Sequence, residues 1–169
     1  MEIYRRSLEK LKNIIFYLFA MAISATPALA QSEPDIENPY DRYYAQVVRV
    51  IDGDTIEVRV DLWPGIVAEY SVRVRGIDTP ELRGANCPQE KLWAEEAKAQ
   101  VEKLYDVGLT VMLEDVAFDA YSGRVDAHVR RWVSDRWKFL ADELVDRGLA
   151  EAWTPEMPKI DWCDLAKAR

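Results

Sequence analysis

The chain has 169 residues, 49% apolar and 31% charged, the makeup of one globular domain with short extensions, which excludes a disordered or collagen-like chain. Thirty acidic residues against 22 basic ones leave a net charge of −8, which excludes a protein that holds polyanions by a general positive field. One histidine and two cysteines exclude a His-rich zinc centre or a cage of cysteines.

Taken in chain order, Arg5, Arg6, Lys10 and Lys12 form a basic head, followed by an apolar run from Ile14 to Ile23 and by Ala28-Leu29-Ala30. This order predicts a signal peptide over residues 1–30, cleaved between Ala30 and Gln31, and with it a periplasmic or secreted location. The apolar run falls short of the ~20 residues a membrane span needs, so membrane attachment is expected only if the segment is retained uncleaved. Residues 1–30 carry a surplus of two positive charges, so cleavage takes the net charge from −8 to −10. Residues 31–44 are largely polar, contain two prolines and read as a linker.

From Ala45 the pattern becomes that of strands. Ala45–Ile51 is rich in valine, Asp52-Gly53-Asp54 is a turn, and Thr55–Leu62 alternates apolar with polar residues as a half-buried strand does. A third strand over Val67–Ile77 places Val72 and Val74 on one face and Arg73 and Arg75 on the other. Pro88–Tyr105 is a helix with a stripe of Trp93, Ala97, Val101 and Leu104, capped by Asn86 with Gln89. Leu109–Leu113 and Val125–Val133 read as strands, and Lys138–Arg147 as a helix ended by Gly148. Three strands, a helix, two strands and a helix do not alternate as a doubly wound sheet does. They predict an α+β, mainly β domain over residues 45–155: a five-stranded OB-fold barrel with two to three helices, followed by a C-terminal tail over 156–169.

His128, between Ala127 and Val129 in a strand, reads as a structural or surface residue, and no phosphate loop of the P-loop type occurs. Chemistry must then come from carboxylates, arginines and a hard cation. Asp52-Gly53-Asp54 and Asp78-Thr79-Pro80-Glu81 sit at strand ends, where two aspartates, a backbone carbonyl and waters would suit Ca²⁺. Each cluster alone is more often an ordinary turn.

Val50–Ile56, Val72–Glu81 and Asp119–Arg124, together with Glu96-Ala97 and Gly148-Leu149-Ala150, resemble the thermonuclease (staphylococcal nuclease-like) family in its exported bacterial form, over roughly residues 45–153. The resemblance implies an OB-fold and a calcium-dependent, sugar-nonspecific nuclease that hydrolyses DNA and RNA and leaves 3′-phosphate ends. It implies that Asp54, Asp78 and the backbone carbonyl of Thr79 hold calcium. Glu81 then activates or orients the attacking water, and Arg73 and Arg124 hold the scissile phosphate. Asp52 reads as a turn former or as a residue that supports that set from beside it, and Arg75 as half of a surface ion pair. Where the family has Asp-x-Tyr-Gly-Arg, this chain has Asp119-Ala120-Tyr121-Ser122-Gly123-Arg124, so the loop before Arg124 is one residue longer. The alternative is a non-catalytic OB-type nucleic-acid-binding module derived from the family; such copies usually lose the arginines or the glutamate, which this chain retains.

Six tryptophans remain. Trp93 falls on the helix stripe and reads as core, whereas Tyr121 and Trp153 are candidate nucleotide-binding residues by base stacking, with core or rim packing as the alternative. In an oxidising compartment the even cysteine count predicts a Cys87–Cys163 disulfide tying the loop before the first helix to the tail; two unrelated thiols are the alternative. Nucleic acid is the expected partner, no stable protein partner is implied, and the protein is expected to be a monomer.

Overall fold

The computed structural model describes residues 42–119 and 123–168. The expected signal peptide, most of the expected linker, and Ala120, Tyr121 and Ser122 lie outside the described residues.

Three strands set up the site. β1 (Arg42–Val50) pairs antiparallel with β2 (Thr55–Trp63), and β2 pairs antiparallel with β3 (Ile66–Val74). Inward residues recur at every second position, with Val47, Ile56, Val58, Val72 and Val74 at 2% exposure or less. β1 starts at Arg42, three residues ahead of the expected Ala45, because Arg42–Tyr44 pair with Met112–Glu114 of β5 (Thr110–Asp119). β5 in turn pairs antiparallel with β6 (Arg124–Val133). β3 and β6 then pair in parallel, Val72 with Val125 and Val74 with Ala127, which closes β3-β2-β1-β5-β6 into a five-stranded barrel. β7 (Arg136–Phe139) extends the sheet from β6, and β4 (Ile77–Asp78) pairs with β8 (Glu151–Ala152) as a separate two-stranded ladder. The expected five-stranded OB-type barrel is therefore the one present, and among the described residues three helices accompany it.

α1 (Pro88–Leu104) covers the barrel with Trp93, Ala94, Ala97 and Val101 buried. Burial of each large apolar side chain of this core stabilises by about 1.5–3 kcal/mol. The expected cap at Asn86 and Gln89 is not the one used. The cap residue is Cys87, without a side-chain hydrogen bond, and Glu90 in the first turn instead accepts the backbone N–H of Asn86 at 2.6 Å. A carboxylate reaching back over the first turn satisfies a free donor and favours the positive end of the helix.

α2 (Leu140–Val145) is shorter than the expected 138–147, because Arg136–Phe139 fold back on Arg130–Val133 as β7. Glu143 of α2 is buried and receives Nη2 of Arg131 at 2.6 Å, Nε of Arg131 at 2.9 Å and the Tyr105 hydroxyl at 3.3 Å. Burial opposes the Glu143 charge, but the paired Arg131 donors outweigh it and hold the carboxyl below its usual range. This junction fastens α2 to β6 and to Tyr105 at the end of α1. α3 (Trp162–Ala168) is fixed to the start of α1 by the Cys87–Cys163 disulfide, as the cysteine count predicts.

Candidate active site

The turn between β1 and β2 is pulled tight by Thr55, whose carbonyl accepts the N–H groups of Ile51 at 2.9 Å and Asp52 at 3.2 Å. Gly53 lies at its tip against α1. A Cβ there would sit 3.0 Å from Ala97 Cβ and 3.0 Å from the Thr79 side chain. Only glycine lets the Asp52–Asp54 turn approach Thr79 this closely, and that approach brings the two acidic clusters together.

Asp54 is 3% exposed. Its Oδ1 accepts the Thr55 hydroxyl at 3.0 Å and Nη1 of Arg73 at 3.2 Å, and its Oδ2 lies 3.1 Å from Nη2 of Arg73. The same Nη2 donates to Asp78 Oδ1 at 3.0 Å, so Arg73 bridges the two aspartates. The second oxygen of Asp78 accepts the indole N–H of Trp162 at 2.9 Å. Thr79, beside Asp78, is buried.

These groups carry more negative charge than Arg73 neutralises. Burial, reinforced by Asp52 and Asp78 and only partly offset by Arg73, pushes the Asp54 carboxyl up to about 7. Asp52 Oδ1 is buried and finds no hydrogen-bond partner among the described residues. Burial also works against the Arg73 charge, yet Asp54 and Asp78 outweigh it and raise its pKa further. All-oxygen donors, an unsatisfied buried carboxylate oxygen and excess negative charge fit a hard divalent cation such as calcium. Cys87, Glu90 and Cys163 also converge, but both sulfurs are in the disulfide and offer no thiolate to a metal.

Glu81 is exposed on the loop after Asp78, and its backbone N–H is held by Glu90 Oε1 at 3.4 Å. Arg124 opens β6 opposite Asp119. In the parallel ladder Arg73 is level with Asp126, so Arg124, two residues before Asp126, falls on the same outer face of the barrel as Arg73. Arg75 Nη1 lies 3.7 Å from exposed Asp115, the surface pair expected of it. His128 is half-buried and edge-on to Phe139 at 5.9 Å.

Arg73, Arg75, Asp126, His128 and Trp153 line a groove of about 390 Å³ on this face. Trp153 is set there by its N–H to the Gly76 carbonyl at 3.0 Å and its indole N–H to the Pro158 carbonyl at 3.1 Å. The groove thus places one candidate base-stacking residue beside Arg73; Tyr121, the other, lies outside the described residues.

Two participants escape a reading of the sequence. Glu90 is 1% exposed and holds the loop that carries Glu81, while Trp162 contacts Asp78 across 84 residues of chain. Their only signals are an acidic residue in the first turn of a helix and a tryptophan beside a cysteine, neither of which names a partner.

The family model described as staphylococcal nuclease homologue matches residues 71–162. That span contains Arg73, Asp78, Thr79, Glu81, Arg124, Trp153 and Trp162, and it begins after Asp54. The uncharacterized protein MJ1439 of Methanocaldococcus jannaschii is 42% identical over 53 residues, which are 30% of this chain and 22% of that protein. The chain thus spans less than a quarter of that relative's length.

Proposed function

The chain belongs to the staphylococcal nuclease homologue family, and from this premise we propose that it is an exported, calcium-dependent nuclease that hydrolyses phosphodiester bonds of DNA and RNA and leaves 3′-phosphate ends. The observation that carries the reading is Arg73 clamped between Asp54 and Asp78 at the edge of an open groove.

Attack on a phosphodiester places added negative charge on the phosphorus oxygens, and the site's cations lie where that charge develops. Arg73 gives three of its five N–H donors to the two aspartates, and the two that remain, on Nε and Nη1, can donate to phosphate oxygens. Arg124, on the same face, supplies a second guanidinium. Both keep their charge at any working pH and offer paired donors that a lysine cannot reproduce. Asp54, Asp78 and the Thr79 carbonyl would hold calcium, which when bound supplies Lewis-acid polarisation of a phosphate oxygen and acidifies water. Glu81 takes a proton from the attacking water as its oxygen bonds to phosphorus. The bond from phosphorus to the 5′-oxygen of the next nucleotide breaks, that oxygen takes a proton from solvent and leaves as a hydroxyl, and the phosphate remains on the 3′ side.

A net charge of −8 gives no long-range attraction for nucleic acid, so binding rests on these local cations and on stacking at Trp153, which suits rapid product release more than retention. The Cys87–Cys163 disulfide supports an oxidising location such as the periplasm or exterior. Glu81 is exposed, so Glu81→Gln leaves the fold intact and lowers the turnover of single-stranded DNA by about 10²–10⁴-fold. Turnover near that of the wild type would remove Glu81 from the mechanism, whereas no turnover by the folded wild-type protein would favour the binding-module alternative.

A further inference from the structure

Asp78 is gripped at both of its oxygens, by different parts of the chain. Oδ1 receives Arg73 of β3, and Oδ2 receives the indole N–H of Trp162 of α3 at 2.9 Å. Trp162 is 3% exposed, and its ring meets Trp93 of α1 edge-on at 5.1 Å. Trp93 is itself anchored by its indole N–H to the Gly148 carbonyl at 3.0 Å. The residue after Trp162 is Cys163, bonded to Cys87 at the start of α1. A helix of seven residues has no stability of its own in water, so α3 depends on this bridge and on the Trp93–Trp162 contact to stay docked.

We propose that Trp162 is a positioning residue for the calcium-binding carboxylate of Asp78 and that the Cys87–Cys163 disulfide holds it in place, so that the metal site is completed by the C-terminal helix. The proposal rests on the calcium reading given above. An indole N–H is a neutral donor: it fixes the carboxylate plane without cancelling the charge that a cation needs. Arg73 alone leaves that carboxylate free to turn about one contact. A group that orients a metal ligand in this way typically changes metal affinity by about 10–100-fold when lost.

The test is calcium binding by titration calorimetry on the whole protein, with thermal melting in chelator as the control for folding. Trp162→Phe keeps a ring against Trp93 and removes the N–H. The expected result is a calcium Kd raised at least about tenfold, with the calcium-free melting temperature close to that of the wild type. A folded Trp162→Phe protein that binds calcium as the wild type does overturns the proposal and leaves the calcium site standing. A wild-type protein that binds no calcium overturns both. If Trp162→Phe does not fold, the pair Cys87→Ser and Cys163→Ser decides the matter, since it frees α3 while retaining the indole. Weakened calcium binding supports the proposal, and unchanged affinity overturns it.

Discussion

Asp54 is the residue on which the site's electrostatics turn. In the metal-free protein burial is the chief cause that pushes its carboxyl from the ordinary 3.8 up to about 7. The folded chain therefore holds this proton more tightly than the unfolded chain does. The stability it contributes is fully present below the unfolded pKa and is lost as pH rises through about 7. The amide of an Asp54→Asn variant does not titrate and carries no such dependence. Between about pH 4 and pH 8 in chelator, the wild type should lose about 4 kcal/mol relative to Asp54→Asn in denaturant titrations. Excess calcium should abolish this loss, because binding favours the ionised carboxylate. A difference between the two proteins that does not change with pH would contradict the assignment. The convergence of Asp54, Asp78 and Arg73 was legible in the sequence because they lie within or beside compact motifs. Trp162 and Glu90 were not, because their roles depend on a helix docking that no local spacing encodes.

At the scale of elements, the barrel positions the site through close approach. Gly53 lets the β1–β2 turn rest on Ala97 of α1 and on Thr79, and neither a Cβ fixed to the helix nor a buried threonine can yield easily. Gly53→Ala should cost about 1–3 kcal/mol in thermal or denaturant unfolding. It should also weaken calcium binding, since the added methyl drives Asp54 from Asp78; a variant as stable as the wild type would show that the turn is loose. The first three strands were readable because turn residues and alternation agree there, though the third ends at Val74 and Ile77 belongs to the separate β4. β7 was not, because its hairpin turns on Ser134 and Asp135, with φ of 49° and 63°, in place of the Asn-Gly that announces such a turn. Lys138, expected in a helix, accordingly pairs with Arg131 across β6 and β7. β5 runs on to Asp119 through an irregularity between Glu114 and Ala117, where Asp115 adopts φ 52°, and this break masked the strand's true length.

For the whole molecule, the parallel β3–β6 pairing matters most. It closes the barrel and puts Arg73 and Arg124, far apart in sequence, on one outer face. The disulfide joins residues separated by 76 positions and on chain-entropy grounds stabilises by about 4 kcal/mol. Closure and cross-link together hold the site residues in a short chain, whose excess of acidic residues supplies no general positive field for a polyanion. The most direct measurement is cleavage of single-stranded DNA by the purified protein in calcium and, in parallel, in excess chelator, with its fold verified in both. Cleavage in calcium that stops in chelator is the expected result. Cleavage that continues unchanged in chelator, or none from folded protein saturated with calcium, would contradict a calcium-dependent nuclease.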